Sequence, residues 1–101
     1  MDARIKNRKR LRGYILRALN LFYPSPTSVE SLQSSMLATL LTESLDILPY
    51  LDYLRDRGYV DINKTTTDYG LRLTYVKLTS KGIDVLEGTI CDPGVILDGG
   101  Q

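Results

Sequence analysis

Hydrophobic residues recur at intervals of three and four positions near the start of the chain, which predicts a helix with one apolar face. The residues of this stripe are Leu11, Tyr14, Ile15, Ala18, Leu19 and Phe22. The ten residues before it are mostly polar, and we expect them to fray. Pro24 and Pro26 predict the end of the helix, because a residue before proline avoids the α region.

A second helix is predicted from Ser28 to about Met36. Thr27 is its candidate N-cap, and Glu30 lies three residues further on, as in a capping box. The apolar positions of this helix are Val29, Leu32 and Met36. The apolar run over residues 37–41 leaves three alternatives, because so short a run has no diagnostic period. It extends the second helix, forms a turn or supplies a short first strand.

The third helix is predicted over residues 46–57, with Ser44 or Asp46 as its cap. Pro49 then falls in the first turn, where its missing N–H costs little because first-turn amides lack helical partners. Gly58 suits the position after a helix, where the left-handed conformation favours glycine. The residues expected to face the core are Leu48, Leu51 and Leu54.

Alternation of apolar and polar positions replaces the helical pattern after Gly58 and predicts two strands. They cover residues 59–62 and 71–78, and a polar loop over residues 63–70 joins them. One face of the second strand carries Arg72, Thr74, Val76 and Leu78, and the other carries Leu71, Leu73, Tyr75 and Lys77. Both faces include apolar residues, so we expect one of them to be covered by something outside the hairpin.

A last short helix is predicted after the hairpin, with Thr79 as its cap, Ile83 and Leu86 pointing inward, and Gly88 at its end. Residues 89–101 form a tail that contains a Pro93-Gly94 turn. The apolar residues of the tail are Val95, Ile96 and Leu97. We expect them to dock on this chain or at a dimer interface, which divides the chain into a domain over residues 1–88 and a C-terminal tail.

The net charge of +1 conceals an uneven distribution. The first 17 residues hold seven basic residues and one acidic residue, whereas residues 18–101 hold six basic and eleven acidic residues. This asymmetry indicates a polyanionic partner at the basic end, whose phosphates would release counterions on binding. The alternative is a solvated, charged helix end without a partner.

Composition excludes several kinds of chemistry. The chain has 101 residues, one cysteine and no histidine, so it lacks the commonest general base and the usual zinc ligands. We therefore predict one domain that is not an enzyme and has no cofactor and no metal. Cys91 alone forms no internal disulfide, and no apolar run approaches the ~18–20 residues of a membrane span. We expect no membrane association and a cytoplasmic location.

Two short motifs flank the predicted hairpin. Residues 51–60 (LDYLRDRGYV) lead from the third helix into the first strand, and residues 77–82 (KLTSKG) place Leu-Thr shortly before a glycine. With the order of the elements, these motifs resemble the winged helix-turn-helix superfamily, including its PadR-like and MarR-like regulators. Residues 82–88 (GIDVLEG), followed by Asp92-Pro93-Gly94, are similar to small winged-helix proteins of Mu-like prophages.

The resemblance implies an α+β fold, mostly α, with three helices, a two-stranded wing, a short C-terminal helix and a tail. It implies a DNA-binding transcriptional regulator of phage or bacterial origin, with the third helix in the major groove and the wing on the backbone or minor groove. The candidate DNA-binding residues are Arg4, Lys6, Arg8, Lys9, Arg10, Arg12, Ser44, Pro49, Tyr50, Tyr53, Arg57, Lys64 and Arg72.

An alternative function is a winged-helix module for protein–protein interaction or assembly, without DNA binding. The third helix carries Asp46, Asp52 and Asp56 against Arg55 and Arg57, and it has none of the Lys, Asn or Gln that read bases. Its tyrosines suit a protein surface equally well. For the DNA-binding function we expect a homodimer, because DNA-binding winged helices pair to match two half-sites. Its candidate interface combines Leu71, Leu73 and Tyr75 with the segment over residues 95–97. The alternative is that the tail covers its own wing.

Overall fold

The structure is a computed structural model, and it describes residues 2–97. This part of the chain forms an α+β fold with four helices and a three-stranded antiparallel sheet. The elements in chain order are α1 (Ala3–Asn20), β1 (Thr27–Ser28), α2 (Val29–Leu40), α3 (Leu48–Asp56), β2 (Val60–Thr66), β3 (Arg72–Leu78) and α4 (Ser80–Leu86). Residues 98–101 of the predicted tail lie outside the described residues.

The sheet has the strand order β1-β3-β2, so a third strand joins the predicted pair. The antiparallel pairing of β2 with β3 confirms the predicted hairpin, with Val60 opposite Leu78 and Thr66 opposite Arg72. The predicted polar loop over residues 63–70 is wrong for residues 63–66, since β2 continues to Thr66. Polar residues suffice there because the distal hairpin is exposed, and Thr suits a strand as a β-branched residue.

The first helix begins eight residues earlier than its apolar stripe. Asp2 caps α1, because its carboxylate Oδ1 accepts a hydrogen bond from the Arg4 N–H at 2.7 Å. The expectation of a frayed N-terminus is therefore wrong for residues 3–10. The hydrophobic pattern misses this stretch because its side chains are mostly exposed, so no apolar face marks the extra turns.

Thr27 is not the cap of α2. It pairs with Val76 as part of β1 and is buried, and Ser28 caps the helix by accepting a bond from the Ser31 N–H at 3.1 Å. The run over residues 37–41 extends α2 to Leu40. The short first strand, which was one alternative for this run, is β1 and precedes the helix. The misplaced cap arises because Thr and Ser suit a strand end and a helix cap equally well.

Helix α3 begins at Leu48, where the Asp46 carboxylate accepts a hydrogen bond from the Leu48 N–H at 3.1 Å. The prediction that Leu48 faces the core is wrong, because it is 53% exposed and Ile47 is fully buried instead. Leu51 and Leu54 are buried as predicted. Gly58 follows the helix with φ +81°, the left-handed conformation that its position predicts.

The core lies where α1, α2 and α3 meet one face of the sheet. Its largest fully buried side chains are Ile15, Leu16, Leu19, Leu32, Met36, Ile47, Leu51, Leu54, Leu78, Val60 and Val76. Directly opposite residues of an antiparallel pair share a face. The inner face of the hairpin therefore carries residues 60, 62, 64 and 66 of β2 with residues 72, 74, 76 and 78 of β3.

Thr79 caps α4 as predicted, since its Oγ1 accepts a bond from the Gly82 N–H at 3.1 Å. Val85 is the buried aliphatic residue of this helix, whereas Ile83 and Leu86 are only half-buried. After α4 the chain returns along α1, where the Ile96 N–H donates to the Lys9 carbonyl at 3.1 Å. The segment over residues 89–97 thus lies against the first helix.

Candidate nucleic-acid interface

Helix α3 turns one side outward because Ile47, Leu51 and Leu54 anchor the opposite side in the core. The outward side carries Pro49, Asp52 and Asp56, all of them exposed. Arg55 lies at its edge, with its guanidinium 3.3 Å from the Asp52 carboxylate and 3.9 Å from the Asp56 carboxylate. One cation between two carboxylates leaves this side of the helix with net negative charge.

Two of the three cations of the hairpin lie on its inner face, the face toward α3. Lys64 lies opposite Thr74 and Arg72 lies opposite Thr66, so both cations belong to the inner face, and both are exposed. A groove of about 300 Å³ separates the hairpin from α3. It is lined by Leu48, Asp52 and Arg55 of the helix and by Ile62, Lys64 and Thr74 of the hairpin, together with Leu51 and Val29.

The basic N-terminal residues divide along α1. Arg4, Lys6 and Arg8 are exposed in its first turns, and Lys9 and Arg10 are half-buried. Arg12 differs from them, because its guanidinium carbon lies 3.7 Å from the centre of the Tyr53 ring and its Nη1 donates to the Gly94 carbonyl at 3.0 Å. Helix α1 therefore packs against α3 at Tyr53, a residue that does not line the groove.

A buried carboxylate organises the flank of α3 at Tyr53. Asp92 accepts hydrogen bonds from the Tyr59 hydroxyl, from the Arg57 guanidinium at 3.2 Å and from the Gly94 N–H at 2.7 Å. Its side chain is 3% exposed, whereas that of Arg57 is 50% exposed. We call Arg12, Tyr53, Arg57, Tyr59 and Asp92 the Asp92 cluster.

The protonation states of the cluster follow from these contacts. Burial opposes the charge of Asp92, but the bonds from Tyr59 and Gly94 and the nearby Arg57 outweigh it, so the pKa of Asp92 lies below its usual value. Burial and the bond to Asp92 raise the pKa of Tyr59 to about 12. The charge of Asp92 also raises the pKa of Arg57. An ionised Asp92 with a neutral Tyr59 is the expected state near pH 7.

The structure separates the candidate DNA-binding residues into groups. Lys64 lines the groove between α3 and the hairpin, and Arg72 lies on the same face of the hairpin. Pro49 is exposed in the first turn of α3. Arg12, Tyr53 and Arg57 belong to the Asp92 cluster. Tyr50 is half-buried beside the core. Ser44 precedes α3 in the loop after α2, where its carbonyl accepts a bond from the Thr42 hydroxyl at 3.3 Å.

Sequence reasoning missed Asp92 as a functional or structural centre. The Asp-Pro-Gly order did carry a signal, because an Asp side chain often accepts the N–H two residues later, as Asp92 does with Gly94. Its long-range partners lie 33 and 35 positions away. No local pattern reports contacts at that separation.

Within residues 2–97, no three His, Cys, Asp or Glu side chains are grouped so that they would hold a metal ion. Over the same residues, no helix is both long enough and apolar enough to span a bilayer.

No protein-family model matches the chain, and no curated protein matches it. Among solved structures, the chain is similar to a crystal structure from Thermoplasma acidophilum described as a "putative transcriptional regulator". The two share 28% sequence identity with a TM-score of 0.64, and the likeness covers 77% of this chain and 78% of that chain. It therefore extends over most of both folds, and the observed α+β architecture is compatible with a winged helix.

Proposed function

We propose that this protein is a winged-helix, DNA-binding transcriptional regulator of phage or bacterial origin that acts in the cytoplasm as a homodimer. The observation that carries the proposal is the register of the hairpin, which puts Lys64 and Arg72 on the face toward α3. A duplex that meets α3 would also meet both cations. The likeness to a transcriptional regulator supports the same function.

Affinity in this proposal comes from phosphate contacts more than from base readout. The outward side of α3 presents Pro49, Asp52 and Asp56, and none of them is a bidentate donor to a base edge in the major groove. Lys64 and Arg72 supply charge on one flank of α3. On the other flank, Arg8 lies one turn before Arg12 on the same face of α1, so it projects beyond the Asp92 cluster.

A salt titration of duplex binding tests this function. Each phosphate contact lowers the slope of log K against log salt by about 0.9 between about 50 and 200 mM salt. We expect the double variant Lys64→Ala/Arg72→Ala to reduce the magnitude of the slope by about 1–2. Binding of a mixed-sequence duplex is measured by fluorescence anisotropy.

The matched control is Lys77→Ala/Lys81→Ala, which removes the same charge elsewhere. Lys77 lies on the outer face of the hairpin, opposite Asp61, and Lys81 lies on α4 beside the Tyr59 ring. Equal slopes for the two double variants would show that only net charge matters. Absence of wild-type binding at low salt would contradict DNA binding altogether.

A second candidate function is protein–protein interaction or assembly through α3. The acidic outward side of the helix favours it, because Asp52 and Asp56 would lie against phosphates in a groove and repel them. Neutralising these residues as Asp52→Asn/Asp56→Asn distinguishes the two functions. Duplex affinity rises if α3 enters a groove and stays unchanged if it does not.

A further inference from the structure

Two large apolar side chains are exposed at the ends of α1 and α2. Leu21, just after α1, is 84% exposed, and Leu41, just after α2, is 92% exposed. Leu41 also adopts φ 54° and ψ 40°, a left-handed conformation that glycine and asparagine adopt most readily. Neither burial nor backbone conformation accounts for a leucine at this position.

An apolar groove of about 230 Å³ lies between α1 and α2. Leu21 lines it, and Leu41 follows two residues after Thr39, which also lines it. Its walls include Tyr14, Ala18 and Leu21 from the α1 side and Met36 and Thr39 from α2. Tyr14, Ala18 and Leu21 follow one another at intervals of four and three positions, so they form one continuous stripe. The groove is wide enough to accept a leucine side chain.

The same surface carries charges of opposite sign at different points. Arg17 lines the groove, and its Nη2 donates to the Leu97 carbonyl at 3.3 Å. That carbonyl is neutral, and within residues 2–97 no ion pair of Arg17 is observed. Glu43 is exposed two residues after Leu41. The surface thus combines an apolar groove next to a cation with an exposed leucine next to a carboxylate.

We propose that a second copy of this chain docks on this surface. Leu41 of each copy occupies the groove of the other, and Glu43 of each copy approaches Arg17 of the other. A two-fold interface uses the same patch on both subunits and must be self-complementary. This patch offers a groove with a cation and an exposed leucine with a carboxylate, the two halves of such a contact. The proposal rests on the proposed function in one respect, since a dimer would match two half-sites of a DNA site. The test of the interface uses no DNA.

Sedimentation velocity over a concentration series from low micromolar to sub-millimolar tests the interface. Leu41→Asn removes the exposed leucine and suits the left-handed backbone, so the monomer stays folded. We expect it to raise the dimer dissociation constant about tenfold or more. The matched control Leu71→Asn removes a leucine that is 60% exposed on the hairpin, and we expect it to leave dimerisation unchanged.

Charge reversal tests the same interface independently. We expect Glu43→Lys to weaken the dimer about tenfold, whereas Glu87→Lys, at the end of α4, leaves it unchanged. A wild type that stays monomeric over the whole series would overturn the proposal. So would a dimer weakened by Leu71→Asn but not by Leu41→Asn, because that result assigns pairing to the hairpin. A wild-type protein that dimerises here but fails to bind duplex in the salt titration would contradict the proposed function alone.

Discussion

The cations on the two flanks of α3 differ in what they contact. Arg12 and Arg57 bond to the C-terminal segment through the Gly94 carbonyl and the Asp92 carboxylate. Lys64 and Arg72 are exposed on the hairpin and have no ion pair recorded among residues 2–97. The comparison teaches that a basic residue near α3 serves the fold or is left for a partner according to what the rest of the chain brings to it.

The energetic consequences of the two arrangements also differ. An exposed ion pair such as Asp52–Arg55 stabilises a protein by about 0–1 kcal/mol, because water screens both charges. Asp92 is buried with three donors, so removal of its carboxylate leaves the Tyr59 hydroxyl and the Gly94 N–H without their acceptor. We therefore expect stability to depend on the Asp92 cluster and binding to depend on the hairpin.

Replacement of Asp92 gives the largest expected effect. Asp92→Ala should lower the free energy of unfolding by about 3 kcal/mol, the low end for breaking a buried pair, because Arg57 remains half-exposed. Urea unfolding monitored by circular dichroism measures the change. The control Asp52→Ala removes an exposed carboxylate and should change stability by less than about 1 kcal/mol. Equal losses in the two variants would contradict the distinction between the flanks.

The next largest expected effect on stability comes from the close packing between α1 and the C-terminal segment, residues 89–97. A Cβ at Gly13 would lie 2.1 Å from the Ile96 carbonyl oxygen, so Gly13→Ala must displace that segment. Overpacking costs about 1–3 kcal/mol and the gain in helix propensity is at most about 1 kcal/mol. We expect Gly13→Ala to lower the free energy of unfolding by about 1–2 kcal/mol, measured by thermal unfolding. Asn20→Ala on the same helix is the control. A stabilised Gly13→Ala would show that the segment does not pack there.

Much of the fold could be predicted from local patterns. The hairpin, the Gly58 stop and the Thr79 cap follow from alternation and from residues with special backbone preferences, and each is observed. The exposed start of α1 and the two-residue strand β1 were not predicted. The first lacks an apolar face, and the second depends on pairing with β3, nearly 50 positions further along the chain.

The site was less predictable than the fold. Residue type alone grouped Arg12 and Arg57 with Lys64 and Arg72, because all four are basic and lie near predicted helices or strands. The difference between them comes from Asp92 and Gly94, which reach α3 only through the tertiary fold. Long-range contacts of this kind leave no periodic trace in a single sequence.

The smallest expected effect concerns the Tyr59 hydroxyl and appears only at high pH. The pKa of Tyr59 is raised to about 12 in the folded state. The hydroxyl therefore contributes fully to the free energy of unfolding below the ordinary tyrosine pKa of about 10, and this contribution is lost as pH rises through about 12. Tyr59→Phe should be less stable than wild type by about 1 kcal/mol at pH 7, and this gap should narrow above pH 10. Urea unfolding from pH 7 to pH 12 measures the gap. The control is Tyr69→Phe, at a tyrosine that is 98% exposed, which should show no gap at any pH. A gap for Tyr59→Phe that stays constant to pH 12 would mean that Asp92 holds this hydroxyl no more tightly than water does.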